Sequence, residues 1–207
     1  MDYCGKTTEE LITELNLIDS KEFYQSYIIN EEIWYFNNFG KNISSVEYNH
    51  SISSIINKNF NLTSNEFLIV GSAKIGFSLS PNKNFKLFNR EGEGNENQSD
   101  IDIAIISSEL FVSCWEKLKA LKYRTYMNNY TSISSNIFRG FVNDKNMTQQ
   151  ISLTLDILDM IDRCTIDIRD EFEVIEPINY RIYNSWDDLE RYTINGINIC
   201  KGEKNGI

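Results

Sequence analysis

Residues 98–106 read QSDIDIAII, and this stretch limits the fold more than any other. Its second half is a short, continuous apolar run of the kind that lies inside a sheet. Asp100 and Asp102 interrupt the start of that run. In a strand, side chains at i and i+2 project to one face, roughly 7 Å apart along the chain, so the two carboxylates point together while Ile101 and Ile103 pack on the opposite side. Two neighbouring carboxylates repel unless a cation lies between them. The stretch predicts a core strand that presents two acids to a divalent metal.

A second short apolar run precedes it. EFLIVGS, cut by Gly71, reads as a core strand running into a turn, and AKIGFSLS as one or two helical turns. Residues 81–99, PNKNFKLFNREGEGNENQS, carry Pro81, Gly92 and Gly94 and read as an exposed loop, with EGEGNE a solvated tip. Before the first strand, residues 7–60 read as three helical stretches: TTEELITELNLI with its Thr cap and early acids, SKEFYQSYIINEEIWYFNNF, and ISSVEYNHSISSIINKNF. After the acids, SSELFVSCWEKLKALKYRTY reads as an amphipathic helix capped by Ser107 or Ser108. Residues 127–150 give no clear pattern. ISLTLDIL alternates like a strand, yet the longer window NMTQQISLTLDILDMIDRC fits a helix, and pattern alone leaves both open. FEVIEPINYRIY has strand character on both sides of Pro177, and SWDDLERYTINGI reads as a closing helix capped by Ser185. Strands spaced among helices give an α/β (α+β) class with a small mixed sheet.

Composition excludes several function classes. The net charge of −10 argues against a surface that grips a nucleic-acid backbone throughout, because phosphate contacts need Lys and Arg. Cys4, Cys114, Cys164 and Cys200 form no CxxC pair, and His50 is the single histidine, so a structural zinc site is not expected. Without an evident signal peptide, the cysteines read as reduced thiols of a cytoplasmic protein. No apolar run approaches the ~20 residues of a membrane helix.

LIVGSAKIG followed by SDIDIAII resembles the nucleotidyltransferase fold of the DNA polymerase β superfamily, whose signature is an apolar strand ending in Gly-Ser and then an apolar strand carrying Asp-x-Asp. The resemblance covers residues 66–107 directly. It implies a single domain over residues 1–207: a helical part over 1–60, a catalytic core over 61–125, and a C-terminal part with the closing helix over 126–207. It implies that Gly71 and Ser72 hold the phosphates of an NTP or dNTP, with Lys74 adding a positive charge, and that Asp100 and Asp102 bind Mg2+ or Mn2+. The implied reaction is attack of a hydroxyl on the α-phosphate with release of pyrophosphate. The acceptor is left open among a nucleotide, a nucleic-acid end, a protein side chain and a small molecule such as an aminoglycoside.

Three departures from the family pattern stand out, one being that no known acceptor-binding domain is evident. Ser72 and Asp100 are separated by 27 residues, an insertion beside the site that is expected to act as a lid or an acceptor guide. The superfamily also supplies a third carboxylate from a later strand. Asp156 in TLDIL is the favoured candidate, with Asp167 in TIDIR and Glu173 in EFEVI as alternatives. IFRGFV and PINYRIYNSWDDLERY resemble segments of small bacterial proteins with this core, some from anti-phage defence loci, where the product is an oligonucleotide signal and an effector protein is the implied partner. Arg139 reads as a surface arginine, Tyr183 as packing, and His50 as structural or exposed. The competing reading is a nucleotide sensor or antitoxin-like partner that keeps the fold without turnover.

Overall fold

The N-terminal helices begin where their caps dictate. A computed structural model describes residues 2–40, 44–62, 66–90, 98–122, 127, 129–148 and 151–202. Helix α1 (Thr8–Leu17) starts at a capping box between Thr7 and Glu10, and α2 (Ser20–Phe23) at Asp19, running on into a π-turn over Tyr24–Ile28. Helix α3 (Trp34–Phe39) follows a break at Ile29–Ile33, so the middle of the three expected helical stretches is two. Helix α4 (Ser45–Phe60) has its own capping box, Ser44 with Glu47.

Strand β1 (Phe67–Val70), the four-residue helix α5 (Ser72–Ile75) and strand β2 (Ile101–Ile106) fall where the two apolar runs place them. Residues 91–97 of the loop between them lie outside the described residues. Helix α6 (Ser108–Lys122) has Ser107 Oγ accepting from Leu110 N–H. The segment without a clear pattern contains helix α7 (Tyr130–Phe138), the three-residue strand β3 (Phe141–Asn143) and helix α8 (Asp144–Thr148). The ambiguous window is helix α9 (Ile151–Phe172). Ile157, Ile161, Cys164, Ile168 and Phe172 are buried at spacings of three and four, so helical periodicity outweighs the short alternation of ISLTLDIL. Strand β4 (Ile178–Tyr183) begins only after Pro177, and residues 173–176, expected to have strand character, form no strand. Helix α10 (Trp186–Cys200) is capped by Ser185, whose Oγ accepts from Asp188 N–H.

The four strands form one mixed sheet in the order β1-β2-β4-β3, so the class is mixed α and β as expected. β2 is antiparallel to β1 and parallel to β4, and β3 is antiparallel to β4. The parity of β2 then divides the molecule. Ile101, Ile103 and Ile105 enter the large core shared with α3, α4, α6 and α9. Ala104 and Ile106 face a smaller cluster with Val70, Phe141, Tyr183 and Leu189 of α10. Asp102 lies on that second face, which opens into a cleft. None of the four cysteines is disulfide-bonded. Among the described residues no helix is long and apolar enough to cross a membrane.

Candidate functional site

Register brings the acids together with the glycine-serine bend. Asp102 stands opposite Val70 on one side and Asn179 on the other, and Gly71 and Ser72 follow Val70 directly. Gly71 has φ +70 and ψ −151, a conformation that side chains with a Cβ rarely adopt. A Cβ there would also lie 2.9 Å from Asp102 Oδ2. The bend therefore touches the carboxylate, and only glycine permits both the turn and the approach. Asp100, Asp102, Gly71 and Ser72 all line one cleft of about 440 Å³.

Asn179 ties the two acids. Its Nδ2 donates to Asp100 Oδ2 at 2.6 Å and reaches Asp102 Oδ1 at 3.4 Å. Two residues along β4, Arg181 brings its guanidinium to 3.9 Å from Asp102 Oδ1. That guanidinium also lies over the rings of Tyr192 and Phe141, its Cζ 5.5 and 5.9 Å from their centroids. Burial raises the Asp102 carboxyl above its ordinary range; Asp100 pushes the same way, while Arg181 and Asn179 oppose. For Arg181, burial works against the charge, but Asp102, Tyr183 and Tyr192 outweigh it, so the guanidinium stays ionised.

This donor set suits a small hard cation. Mg2+ is held in proteins by one or two carboxylates and completes its shell with water and substrate phosphates. Asp100 and Asp102 supply two such carboxylates on one face, and rotation of the Asn179 amide presents its oxygen between them. No group of three acidic, histidine or cysteine ligands is assembled among the described residues.

Asp156 is a correction to the expected ligand set. It lies on α9 rather than on a strand, is exposed, and is ion-paired with Lys117 of α6, which lowers its pKa. It does not line the cleft. Asp167, also on α9, accepts from Lys58 and Asn59 at 3.0 and 2.9 Å, and Glu173 follows the same helix at φ +56. The strand beside the acid pair, β4, places the neutral Asn179 opposite Asp102.

Lys74 is a second correction. At 100° per residue it projects almost opposite Ser72 on the single turn of α5, and it lines no part of the cleft. Its Nζ is buried and donates to the carbonyls of Asn30, at 2.6 Å, and Glu32. Desolvation pushes its pKa down to about 7 against the pull of Cys4 and Glu32. Lys74 is an anchor between the bend and the N-terminal helices.

Sequence reading missed Asn179 and Asp144. Asp144 follows β3, lines the cleft, and accepts from Tyr180 N–H at 3.1 Å and Lys145 N–H at 2.7 Å. Burial raises its carboxyl above the ordinary range, against its backbone hydrogen bonds and the charges of Lys145 and Arg181. NDKN in a polar stretch carried no signal for it. Along β4, Asn179, Arg181 and Tyr183 alternate onto one face. Tyr183 is fully buried, as a packing residue should be, while His50 and Arg139 are exposed. Arg139 nonetheless reaches the cleft wall. No protein-family model, curated protein or solved structure matches the chain.

Proposed function

We propose that the chain is a divalent-cation-dependent nucleotidyltransferase that moves a nucleoside monophosphate from an NTP or dNTP to a hydroxyl acceptor. The observation that carries this reading is the contact between the Gly71 bend and Asp102, with Asp100 beside it in one cleft. Asp100 and Asp102 would hold Mg2+ or Mn2+, which supplies Lewis-acid polarisation of the phosphate oxygens. Ser72 and Lys83, both at the cleft wall, are the groups offered to the β- and γ-phosphates. Arg181 presents guanidinium donors beside Asp102, where charge builds on the α-phosphate during transfer. The acceptor oxygen forms the new P–O bond, the α–β bridge breaks, and pyrophosphate leaves. The hydroxyl proton passes to Asp144 on the far side of the cleft. A signal oligonucleotide for an effector protein in anti-phage defence is the role this reading suggests.

A second reading is favoured by one observation. Asn179 is neutral, so the pair lacks the third negative group that a second metal would need. A protein of this kind binds a metal–nucleotide complex and signals its presence without turnover. Incubation with each labelled NTP and dNTP, in Mg2+ and in Mn2+, separates the two. Transfer predicts pyrophosphate release that disappears in an Asp100→Ala/Asp102→Ala double variant. Metal-dependent binding with no release in either metal establishes the sensor. Absence of both binding and release refutes both readings.

A further inference from the structure

Asp100 lies one residue ahead of β2, and the chain on either side of it is tied to a different neighbour. Before it, Ser99 N–H donates to Asn89 O at 2.8 Å, and Asn89 N–H donates to Ser99 Oγ at 2.9 Å. Gln98 Nε2 adds a bond to Arg90 O at 2.7 Å. After it, Ile101 N–H donates to Pro177 O at 2.8 Å. The backbone at Asp100 is thus held between residues 89–90 on one side and 176–177 on the other.

Those two supports are joined by a pair of charges that lines no part of the cleft. Glu176 is fully buried, and its Oε1 lies 3.0 Å from Arg90 Nε. The N–H and that oxygen are not aligned for a hydrogen bond, so charge attraction carries the contact. Oε2 accepts from the Tyr35 hydroxyl at 2.6 Å and from Ile175 N–H at 3.1 Å. The Arg90 guanidinium also lies over the ring of Phe39, its Cζ 5.2 Å from the centroid. Tyr35 and Phe39 both belong to α3, so one helix backs both partners. A buried carboxylate stripped of its cation is strongly unfavourable and drives its segment to move. Loss of Arg90 therefore disturbs the support at Pro177 as well as the one at Asn89.

We infer that Arg90 and Glu176 are positioning residues for Asp100, their ion pair joining the two backbone supports that set where its carboxylate stands beside Asp102. The effect travels through Asn89, Ser99 and Pro177 rather than by contact with the site. This deepens the metal site that the transferase and sensor readings share, and rests on it. An ion pair of purely structural use would leave the acids in place in any molecule that still folds.

The test is Mn2+ binding to the full chain, followed by the electron spin resonance signal of the free ion, with urea denaturation alongside. Arg90→Met should weaken Mn2+ binding about tenfold, the low end of what loss of an outer partner costs a metal site. Glu176→Gln keeps the volume and an acceptor for Tyr35 but drops the charge, and should weaken binding by a similar factor. Arg90→Lys, which keeps the charge, should retain most of the affinity. Lys117→Met breaks an ion pair that lies outside the cleft and should leave the affinity unchanged. Folded Arg90→Met and Glu176→Gln proteins with wild-type Mn2+ affinity, whatever their urea midpoints, overturn the inference and leave the metal site intact. If Arg90→Met does not fold, equal affinity in Glu176→Gln and Arg90→Lys overturns it. A wild-type chain that binds no Mn2+ refutes the metal site itself, and this inference falls with it.

Discussion

Replacing Asp100 with Asn should stabilise the metal-free protein and remove its response to metal. Asn179 Nδ2 lies 2.6 and 3.4 Å from one oxygen of each acid, so those two oxygens are within about 6 Å of each other. Coulomb repulsion between unit charges at about 6 Å is ~0.7 kcal/mol at the dielectric of water and ~2.8 kcal/mol at an effective value near 20. Both acids are part-exposed, which places the expected gain near 1 kcal/mol. The variant keeps an acceptor oxygen for Asn179 and leaves Arg181 near Asp102. The sign follows from linkage. Asp102 has its carboxyl raised in the fold, first by burial and also by Asp100. The folded chain thus holds that proton to higher pH than the unfolded chain, and stability falls as pH rises through the folded value. The gain in Asp100→Asn should be absent below the ordinary carboxylate range and should appear as pH rises through the folded Asp102 value. Urea denaturation in chelator, near pH 3 and near pH 7, measures it. Wild type should gain ~1.4 kcal/mol when Mg2+ is ten times its dissociation constant, and the variant should gain none, so the order of stability reverses or closes with metal. A variant no more stable than wild type at neutral pH, or a gain unchanged at acid pH, refutes the reasoning.

Three other outcomes are expected. Gly71→Ala forces a side chain into φ +70 and sets its Cβ 2.9 Å from Asp102 Oδ2; a loss of about 1–3 kcal/mol in denaturation is expected, together with weaker metal binding. Lys74 has its pKa lowered to about 7 in the fold. Wild-type stability should therefore rise between about pH 7 and the ordinary lysine range as the unfolded chain gives up its extra proton, and Lys74→Met should flatten that slope. Asp144→Asn should lower kcat about a hundredfold with little change in KM for the donor. Because the Asp144 carboxyl is raised and must be ionised to accept a proton, the acid limb of the wild-type rate profile should lie above the ordinary carboxylate range.

The strand carrying the acids was legible because both of its faces are committed: isoleucines on one side meet the large core, and carboxylates on the other meet a cleft. The glycine-serine bend was legible for a related reason, since few residues other than glycine adopt its backbone angles. Asp156 failed because eight residues of alternation are compatible with a helix whose other apolar positions lie further along the chain. Lys74 failed because proximity in sequence says nothing of direction, and its partners at Asn30 and Glu32 are remote from it. The stretch before Pro177 has strand-like residues but is shaped by Glu176. That carboxylate is fully buried against Tyr35, at 2.6 Å, and Arg90, at 3.0 Å, partners that local patterning cannot announce. β3 is too short for periodicity to speak at all.

Strand β2 is held by neighbours along both of its edges, and its side chains fill the interior above and below. Amides in that position exchange with solvent slowly, on the timescale of global rather than local opening. Asp102 and its neighbour Asp100 are fixed in place by the same event that closes the domain, so on the proposed reading a metal arriving later would meet a finished geometry and lose little entropy in ordering its ligands. Affinity there should track how well the ion fits rather than how readily the chain moves.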